Sequence, residues 1–275
     1  MSGVSLGVRS GKVLRLGRIF RRDTGRAVII ALDHGRRHGP IPGIRDFRKT
    51  VETLVETGAD AFMMTPAMVE KVADLMAGRV GVIARIDGTG SVRGPDETDD
   101  RVISSVERAV SLGADAVSLM VYVGCEKEAD NLEKLARVVE EAYWYGVPVL
   151  AEVLPRPPHL PDRYSSENVA YASRIAAELG ADVIKTYYTG EGFEEVVKGV
   201  PVPVVVLGGP RRGALLEALR EAYEAVLKGA AGVAYGRNVF QFEDPRVAAK
   251  ALVKVVHEEI PPEEALEKIK PNFSY

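Results

Sequence analysis

The chain has 275 residues, of which 46% are hydrophobic and 27% are charged, and its formal net charge is −3. The apolar content excludes a disordered chain, and the small negative charge gives no general electrostatic reason to bind nucleic acid. No stretch of about 18 apolar residues occurs, so we expect no membrane partner, and the lone Cys125 indicates a reducing, cytoplasmic location.

The first 26 residues combine apolar and basic side chains. Lys12, Arg15 and Arg18 interrupt the apolar residues, so the segment lacks the continuous apolar stretch of a signal peptide. Such a segment can lie on an anionic membrane, or it can form a short helix that packs on the rest of the protein. We favour the packed helix and predict a short N-terminal helical extension over residues 1–26.

Eight short apolar runs then alternate with helical patterns. Each run is rich in β-branched residues and lacks strict alternation, which is typical of parallel strands covered on both faces. The predicted strands are residues 27–32, 59–64, 80–86, 114–121, 147–153, 181–184, 202–207 and 230–234. The predicted helices include residues 46–57, 101–112, 131–145, 167–179, 213–228 and 245–258.

A Gly-Ala-Asp repeat precedes the second, fourth and sixth strands, at residues 58–60, 113–115 and 180–182. Its glycine suits a left-handed helix C-cap and a tight turn into the next strand. An open doubly wound sheet uses similar junctions, but eight strands without a dinucleotide-binding fingerprint favour a closed barrel. The sequence therefore predicts an α/β fold, a single-domain (β/α)8 TIM barrel over residues 27–260, with a C-terminal tail at 261–275.

Lys185 directly follows the apolar run of the sixth strand. Active sites of such barrels lie at the carboxyl ends of the strands, where a desolvated, neutral lysine can attack a carbonyl group. A lysine at this position can equally extend from the barrel rim or neutralise an acid, and the position alone leaves both interpretations open.

Three acidic or phenolic residues lie at other strand ends. Glu152 shares a strand face with Leu154, and Lys185 on the next strand is its natural partner, either as an ion pair or as an acid and base. We favour the catalytic interpretation for Glu152. Asp33 closes the first strand, where it can orient a proton or simply stabilise the following turn. Tyr122 ends the fourth strand.

Glycines end the last two strands, as Gly208 and Gly209 after the seventh and Gly236 before Arg237 after the eighth. Glycines expose backbone N–H groups and arginine adds positive charge, and this pair of strand ends is the usual phosphate site of a TIM barrel. Glycines also form ordinary loop turns, so either pair alone is weak support for a site. Together they predict a site for a phosphorylated substrate.

A metal site is the less favoured alternative. The i, i+4 spacing of His34 and His38 would place both rings on one helix face. The neighbouring Gly35, Gly39 and Pro40 predict a loop instead. We therefore expect neither a metal nor another cofactor.

Several motifs together resemble those of archaeal-type class I fructose-bisphosphate aldolases and the related aminodideoxyheptulosonate synthases. These are Leu-Asp-His-Gly at residues 32–35, Gly-Ala-Asp-Val-Ile-Lys-Thr at 180–186, Tyr-Thr-Gly at 188–190, Gly-Gly-Pro at 208–210 and Gly-Arg-Asn-Val-Phe-Gln at 236–241. The resemblance implies a (β/α)8 barrel that makes or breaks carbon–carbon bonds through a Schiff base without a metal, commonly in a ring of identical subunits. It implies that Lys185 forms the Schiff base, that Asp33 is catalytic, and that the substrate phosphate is bound by Gly208, Gly209, Gly236 and Arg237.

Residues 39–46 and 256–269 are more similar to the synthases, which transfer a three-carbon unit onto aspartate semialdehyde on a route to aromatic amino acids. The aldolases, which belong to glycolysis and gluconeogenesis, are the alternative. One departure concerns both, because the family has a proton-transferring tyrosine where this chain has Leu154. Glu152 is our first candidate for the missing group and Tyr122 the second. A barrel that binds sugar phosphates with altered catalysis is the third hypothesis.

Amide side chains are rare, since Gln241 is the only glutamine and four asparagines are present. Depletion of thermolabile amides, with abundant arginine and glutamate, is typical of thermophilic proteins. The composition therefore predicts a thermophilic protein and has no bearing on the chemistry.

Overall fold

A computed structural model describes residues 3–211 and 213–269, without the side chains of residues 3–9. The strands are β1 (Ala27–Ala31), β2 (Ala61–Met64), β3 (Gly81–Arg85), β4 (Ala116–Val123), β5 (Val149–Pro155), β6 (Val183–Tyr187), β7 (Val204–Leu207) and β8 (Gly232–Tyr235). The helices are α1 (Gly3–Leu16), α2 (His34–His38), α3 (Phe47–Leu54), α4 (Pro66–Met76), α5 (Val106–Ser111), α6 (Glu128–Tyr145), α7 (Ser166–Glu178), α8 (Phe193–Gly199), α9 (Leu215–Leu227), α10 (Arg237–Phe240), α11 (Pro245–His257) and α12 (Pro262–Ile269).

The strands form one closed, parallel barrel in sequence order, with β8 paired to β1. This confirms the predicted TIM barrel and its short N-terminal helix. None of the helices in the described part of the chain is long and apolar enough to cross a membrane. Of the predicted C-terminal tail, residues 262–269 form α12, which packs on α9 and α11, and residues 270–275 lie outside the described residues.

The Gly-Ala-Asp repeat explains why several strands begin two residues later than predicted. Its three aspartates lie just before strands and accept hydrogen bonds from backbone N–H groups at the base of the barrel. These bonds join Asp60 to Val28 (2.6 Å), Asp115 to Val82 (3.0 Å) and Asp182 to Val149 (2.8 Å). The repeat therefore belongs to the turns that tie each strand to its neighbour.

The N-terminal segment packs on the base of the barrel through the same three aspartates. Its basic side chains form one salt bridge with each aspartate. The pairs are Arg21 with Asp60 (2.6 Å), Arg18 with Asp115 (2.7 Å) and Lys12 with Asp182 (2.9 Å). Beside these pairs, Leu16, Ile19 and Phe20 pack against the apolar residues inside the barrel. The basic residues that suggested a membrane surface thus bind the protein itself, as the packed-helix prediction requires.

The interior of the barrel changes from apolar to charged towards the carboxyl ends of the strands. Its lower layers consist of aliphatic residues, many of them alanine. Ala31 and Ala234 are among these small residues and line the pocket above, where they leave room for longer charged side chains. In β5 the alternation of Leu150, Glu152 and Leu154 on one face is as predicted.

The prediction of a loop after β1 is wrong, because residues 34–38 form the one-turn helix α2. Gly39, with φ at +74°, ends this helix instead of preventing it. The rings of His34 and His38 consequently stack with centroids 6.0 Å apart. Among the described residues, no group of three or more His, Cys, Asp or Glu side chains is placed to hold a metal ion.

The predicted helix over residues 101–112 begins late, at Val106 in α5. The side chain of Ser105 caps it by accepting a hydrogen bond from the N–H of Arg108. Residues before Ser105 belong to a long β3–α5 loop in which Asp87 forms an isolated bridge with Val102. This loop forms one wall of the pocket described next, through Val92 and Glu97.

Candidate active site

A pocket of about 310 Å³ opens at the carboxyl ends of the strands. The predicted site residues come from six different strand ends, and the structure brings all of them to this pocket. They are Asp33, Tyr122, Glu152, Lys185, Gly208, Gly209, Gly236 and Arg237. This is the position at which TIM-barrel enzymes carry their active sites.

Lys185 lies low in the pocket and is bonded to Glu152. The two residues are register partners on β6 and β5, and Nζ lies 2.9 Å from Oε2. Only 5% of the Lys185 side chain and 13% of the Glu152 side chain are exposed. Burial alone would raise the pKa of Glu152, but the charges of Lys185 and Arg85 outweigh it and hold the pKa at about 2. Glu152 is therefore ionised beside the lysine.

Arg85 connects three carboxylates below and beside the lysine. Its Nε donates to Oδ2 of Asp33 at 3.0 Å, its Nη1 to Oδ1 of Asp87 at 3.3 Å, and its Nη2 to Oε2 of Glu152. Burial favours a neutral Asp33, yet Arg85 and neighbouring cations hold the pKa of that carboxyl well below its usual range. Arg85 is fully buried, so its planar fork fixes the orientation of all three acids.

A second buried cation, Lys134 of α6, balances Asp87. Its Nζ lies 2.9 Å from Oδ2 of Asp87 and also donates to the carbonyl oxygen of Asp100. We call Asp33, Asp87, Glu152, Arg85, Lys134 and Lys185 the charged cluster. With Lys185 protonated the cluster holds three negative and three positive charges.

The predicted phosphate corner is held together by Asn238. Its Nδ2 donates to the carbonyl oxygen of Gly208 at 2.5 Å, and Gly236 directly precedes α10. Arg237 lines the pocket, and its buried Nε has no hydrogen-bond partner. Within the described residues no carboxylate forms an ion pair with Arg237, and burial lowers the pKa of its guanidinium. An anion entering the pocket would therefore find a guanidinium that no described carboxylate contacts directly.

The atoms around Gly236 leave no room for a side chain at that position. A Cβ at this position would lie against Cε1 of His34 and within 2.5 Å of the carbonyl oxygen of Ala31. We expect Gly236→Ala to cost about 1–3 kcal/mol of unfolding free energy, as overpacking does, and to lower affinity for phosphorylated ligands. Urea denaturation and ligand titration measure the two effects.

Gly199→Ala is the matched control, because a Cβ at Gly199 meets no atom within 4 Å. It lies at the end of α8, where alanine is tolerated. Equal stability and equal ligand affinity of the Gly236 and Gly199 variants would contradict the packing account.

Tyr122 borders the pocket but is fully buried. Arg37 donates to its Oη from Nη1 at 2.9 Å, and the same Nη1 lies 3.0 Å from Oδ2 of Asp100. Burial raises the pKa of the Tyr122 phenol far above its usual value. The residue is therefore a neutral phenol anchored to the β3–α5 loop.

Several pocket residues were missed by the sequence interpretation. Arg85 of the pocket and Asp87, which it contacts, had no predicted role, although their alternation with Ile83 marks the inward face of β3. Tyr187 and Arg156 also line the pocket. The signal for Tyr187 was its spacing of two residues from Lys185, which places both on one face of β6.

Residues 27–242 match the model of the family described as DeoC/LacD family aldolase. The chain belongs to the DeoC/LacD aldolase family. It is 40% identical over 261 residues to a 2-amino-3,7-dideoxy-D-threo-hept-6-ulosonate synthase of Halobacterium salinarum, covering 94% of this chain and 96% of that relative. It is 38% identical over 251 residues to a 3-hydroxy-5-phosphonooxypentane-2,4-dione thiolase of Yersinia pseudotuberculosis, covering 90% of this chain and 82% of the relative.

Solved structures of similar proteins agree with the fold. One is an archaeal fructose 1,6-bisphosphate aldolase with its catalytic lysine covalently bound to the carbinolamine intermediate of the substrate. It is 34% identical with a TM-score of 0.81, covering 90% of this chain and 99% of that one. The resemblance drawn from the sequence motifs is confirmed, and the protein is an enzyme of the aldolase type.

Proposed function

We propose that this enzyme makes or breaks a carbon–carbon bond in a phosphorylated ketose through a Schiff base on Lys185. The observation that carries the proposal is the buried Lys185–Glu152 pair in a pocket that also holds Arg237, whose buried Nε has no hydrogen-bond partner among the described residues. A ketone at the lysine and a phosphate at the arginine would occupy the two ends of one substrate. The solved aldolase with its lysine-bound carbinolamine supports the same chemistry.

Charge balance in the cluster favours iminium formation. Lys185 is a nucleophile only after losing its proton, which leaves three carboxylates facing Arg85 and Lys134. Attack on the ketone and loss of water restore a positive charge at the same nitrogen, 2.9 Å from Glu152 in the free enzyme. The ionised Glu152 would therefore stabilise the iminium more than the neutral amine.

The iminium then serves as the electron sink for the bond that breaks. The C3–C4 electron pair moves into the iminium to give an enamine, and the C4 hydroxyl gives up its proton as the aldehyde forms. We propose that Asp33 and Glu152 handle the protons at the nitrogen and its neighbouring carbons, since both contact Arg85 beside the lysine. Of the two sequence candidates for the group that replaces the missing family tyrosine, Glu152 is bonded to Lys185 and Arg85, and Tyr122 to Arg37.

The phosphate would bind at Gly208, Gly209, Gly236 and Arg237. Backbone N–H groups near the start of α10 and the guanidinium would contact it, remote from the bond that changes. We expect Arg237→Met to lower kcat/KM for a phosphorylated substrate about 10- to 100-fold, the value of one charge-assisted hydrogen bond. Steady-state kinetics on substrates with and without the phosphate measure the effect.

Arg137→Met is the control for this variant, because Arg137 lies on the exposed face of α6 and is 78% exposed. It should leave both substrates unaffected. An equal loss for the phosphorylated and unphosphorylated substrates in Arg237→Met would contradict the phosphate assignment.

Two substrate choices follow from the relatives. We favour the activity of a 2-amino-3,7-dideoxy-D-threo-hept-6-ulosonate synthase, with aspartate semialdehyde as the acceptor, because that relative is 40% identical over nearly the whole chain. Fructose-bisphosphate aldolase activity is the second candidate, favoured by the 34% identical solved structure. The first activity would place the enzyme in aromatic amino acid biosynthesis and the second in glycolysis and gluconeogenesis.

Steady-state assays with each substrate set separate these activities. Turnover that requires aspartate semialdehyde supports the synthase, and cleavage of fructose 1,6-bisphosphate at a comparable rate supports the aldolase. Absence of both reactions with retained binding of the sugar phosphate would instead indicate a barrel with altered catalysis.

A further inference from the structure

One layer of the pocket, just above the Lys185–Glu152 pair, contains two tyrosines. Lys185 pairs with Glu152 in the β5–β6 register, so two residues further on, Tyr187 and Leu154 lie side by side on the same faces. On the other side of Leu154, Tyr122 of β4 is its register partner. All three residues line the pocket. Leu154 occupies the position of the family's proton-transferring tyrosine, and a phenol lies on either side of it.

The hydroxyl of Tyr187 is oriented by Arg156. Nη1 of Arg156 donates to Oη at 2.9 Å, and a guanidinium has no acceptor, so the phenol oxygen must be the acceptor. Within the described residues no acceptor lies in hydrogen-bond reach of the Tyr187 proton. That proton is therefore free to point at a molecule in the pocket. The Tyr164 ring, with its centroid 4.7 Å from that of Tyr187, restricts the phenol from the other side.

The two tyrosines differ in how much of their surface is exposed. Tyr187 keeps 9% of its surface exposed, within the range of the Lys185 and Glu152 side chains, whereas Tyr122 has none. Tyr122 is also held by Arg37, whose terminal nitrogens are bonded to the β3–α5 loop at Glu97 and Asp100. A substrate above Lys185 would meet Tyr187 without any rearrangement of that loop.

We propose that Tyr187 is a catalytic residue, the proton-transfer group for the oxygen at the bond that forms or breaks, with Arg156 as its positioning residue. This rests on the proposed Schiff-base function. In the bond-forming direction the enamine carbon attacks the aldehyde carbon and the carbonyl electron pair moves to oxygen. The Tyr187 proton transfers to that oxygen, and the phenolate remains hydrogen-bonded to Arg156. Hydrolysis of the iminium then consumes water and releases the proton that restores the phenol.

Cleavage is the reverse of this step. The phenolate form of Tyr187 takes the proton of the C4 hydroxyl while the C3–C4 electron pair enters the iminium. Arg156 is buried, and its Nη1 lies 2.9 Å from Oη of Tyr187, so it holds that oxygen in place in either direction. Leu154 lies between the two tyrosines and cannot form a hydrogen bond with the Tyr187 hydroxyl. That hydroxyl can therefore bond to the substrate oxygen.

The test compares Tyr187→Phe with the wild type on the reaction that the wild type catalyses. We expect kcat to fall about 100-fold or more, the usual size of general acid–base catalysis. Borohydride trapping of fructose 1,6-bisphosphate on Lys185 should remain at the wild-type level, because Schiff-base formation precedes the Tyr187 step. Tyr171→Phe, on an exposed tyrosine of α7, is the matched control and should retain full turnover.

A rescue variant distinguishes proton transfer from packing. Leu154→Tyr in the Tyr187→Phe background returns a phenol to the same layer, and we expect it to restore part of the lost turnover. Wild-type turnover of Tyr187→Phe would overturn the proposal, as would a large loss in Tyr122→Phe with none in Tyr187→Phe. Equal loss of adduct and turnover in Tyr187→Phe would show a binding or structural role and overturn it as well.

Failure of the proposed function gives a different pattern. Without a Schiff base, the wild type itself yields no adduct on Lys185. A wild-type adduct with an unaffected Tyr187→Phe turnover would reject only the role of Tyr187.

Discussion

Replacing Lys185 with methionine should abolish catalysis while leaving the fold intact. We expect kcat/KM to fall by about 10⁴-fold or more, because the nucleophile supplies the covalent intermediate and no neighbouring side chain can replace it. The side chain is buried and the methionine is of similar length, so the barrel should keep its cooperative unfolding transition. Steady-state kinetics and thermal denaturation measure the two properties.

Lys198→Met is the matched control for this variant. Lys198 lies on α8, is 70% exposed and pairs only with the exposed Glu195 among the described residues. It should keep wild-type turnover. If Lys185→Met retained even a tenth of the wild-type kcat/KM, covalent catalysis by this lysine would be ruled out.

Replacing Arg85 with methionine should produce the largest loss of stability. Arg85 is 1% exposed and donates to Asp33, Asp87 and Glu152, so its removal leaves three buried carboxylates without their shared partner. Breaking a buried ion pair in this way typically costs about 3–5 kcal/mol of unfolding free energy. Chemical denaturation of Arg85→Met at neutral pH measures that cost.

Acidification should narrow the difference between Arg85→Met and the wild type. In the wild type the pKa of Glu152 is lowered to about 2. Its ionised form therefore stabilises the fold at any pH above the pKa of the unfolded chain, and this stabilisation is lost as pH falls towards 2. Arg137→Met, on the exposed face of α6, is the control and should unfold like the wild type. A stability of Arg85→Met equal to that of this control would contradict the account of the charged cluster.

The sequence was sufficient for the barrel and for most of the pocket, and the reasons are physical. Parallel strands buried on both faces have an apolar composition that a single sequence displays directly. Polar residues such as Lys185 and Glu152 inside or just after such runs fall at the pocket by the geometry of the fold. The strand starts predicted at residues 59, 114 and 181 are two residues early, because the Gly-Ala-Asp turns lead directly into the apolar runs.

Other features depend on tertiary contacts that local patterns do not contain. The helix α2 forms although Gly35 and Gly39 favour a loop, since one turn tolerates a glycine and Gly39 can end it with a positive φ. The role of Arg85 requires three carboxylates from three different strand ends. The orientation of Tyr187 requires Arg156, from the end of β5.

Some expectations from sequence stay predictions. They are the thermophilic origin, the cytoplasmic location, the assembly into identical subunits, the domain limits at residues 26 and 260, and the independence from metals and other cofactors. The roles proposed for Lys185, Tyr187, Gly236 and Arg237 are tested by the variants described above.

Borohydride trapping shows directly whether Lys185 forms a Schiff base with a ketose phosphate. The protein is incubated with fructose 1,6-bisphosphate, or with the three-carbon ketose phosphate that C3–C4 cleavage would release, then reduced and mapped by mass spectrometry. We expect one reduced adduct per chain, located on Lys185 and absent from Lys185→Met. A wild-type protein that turns over either substrate set but yields no adduct on Lys185 would contradict this expectation.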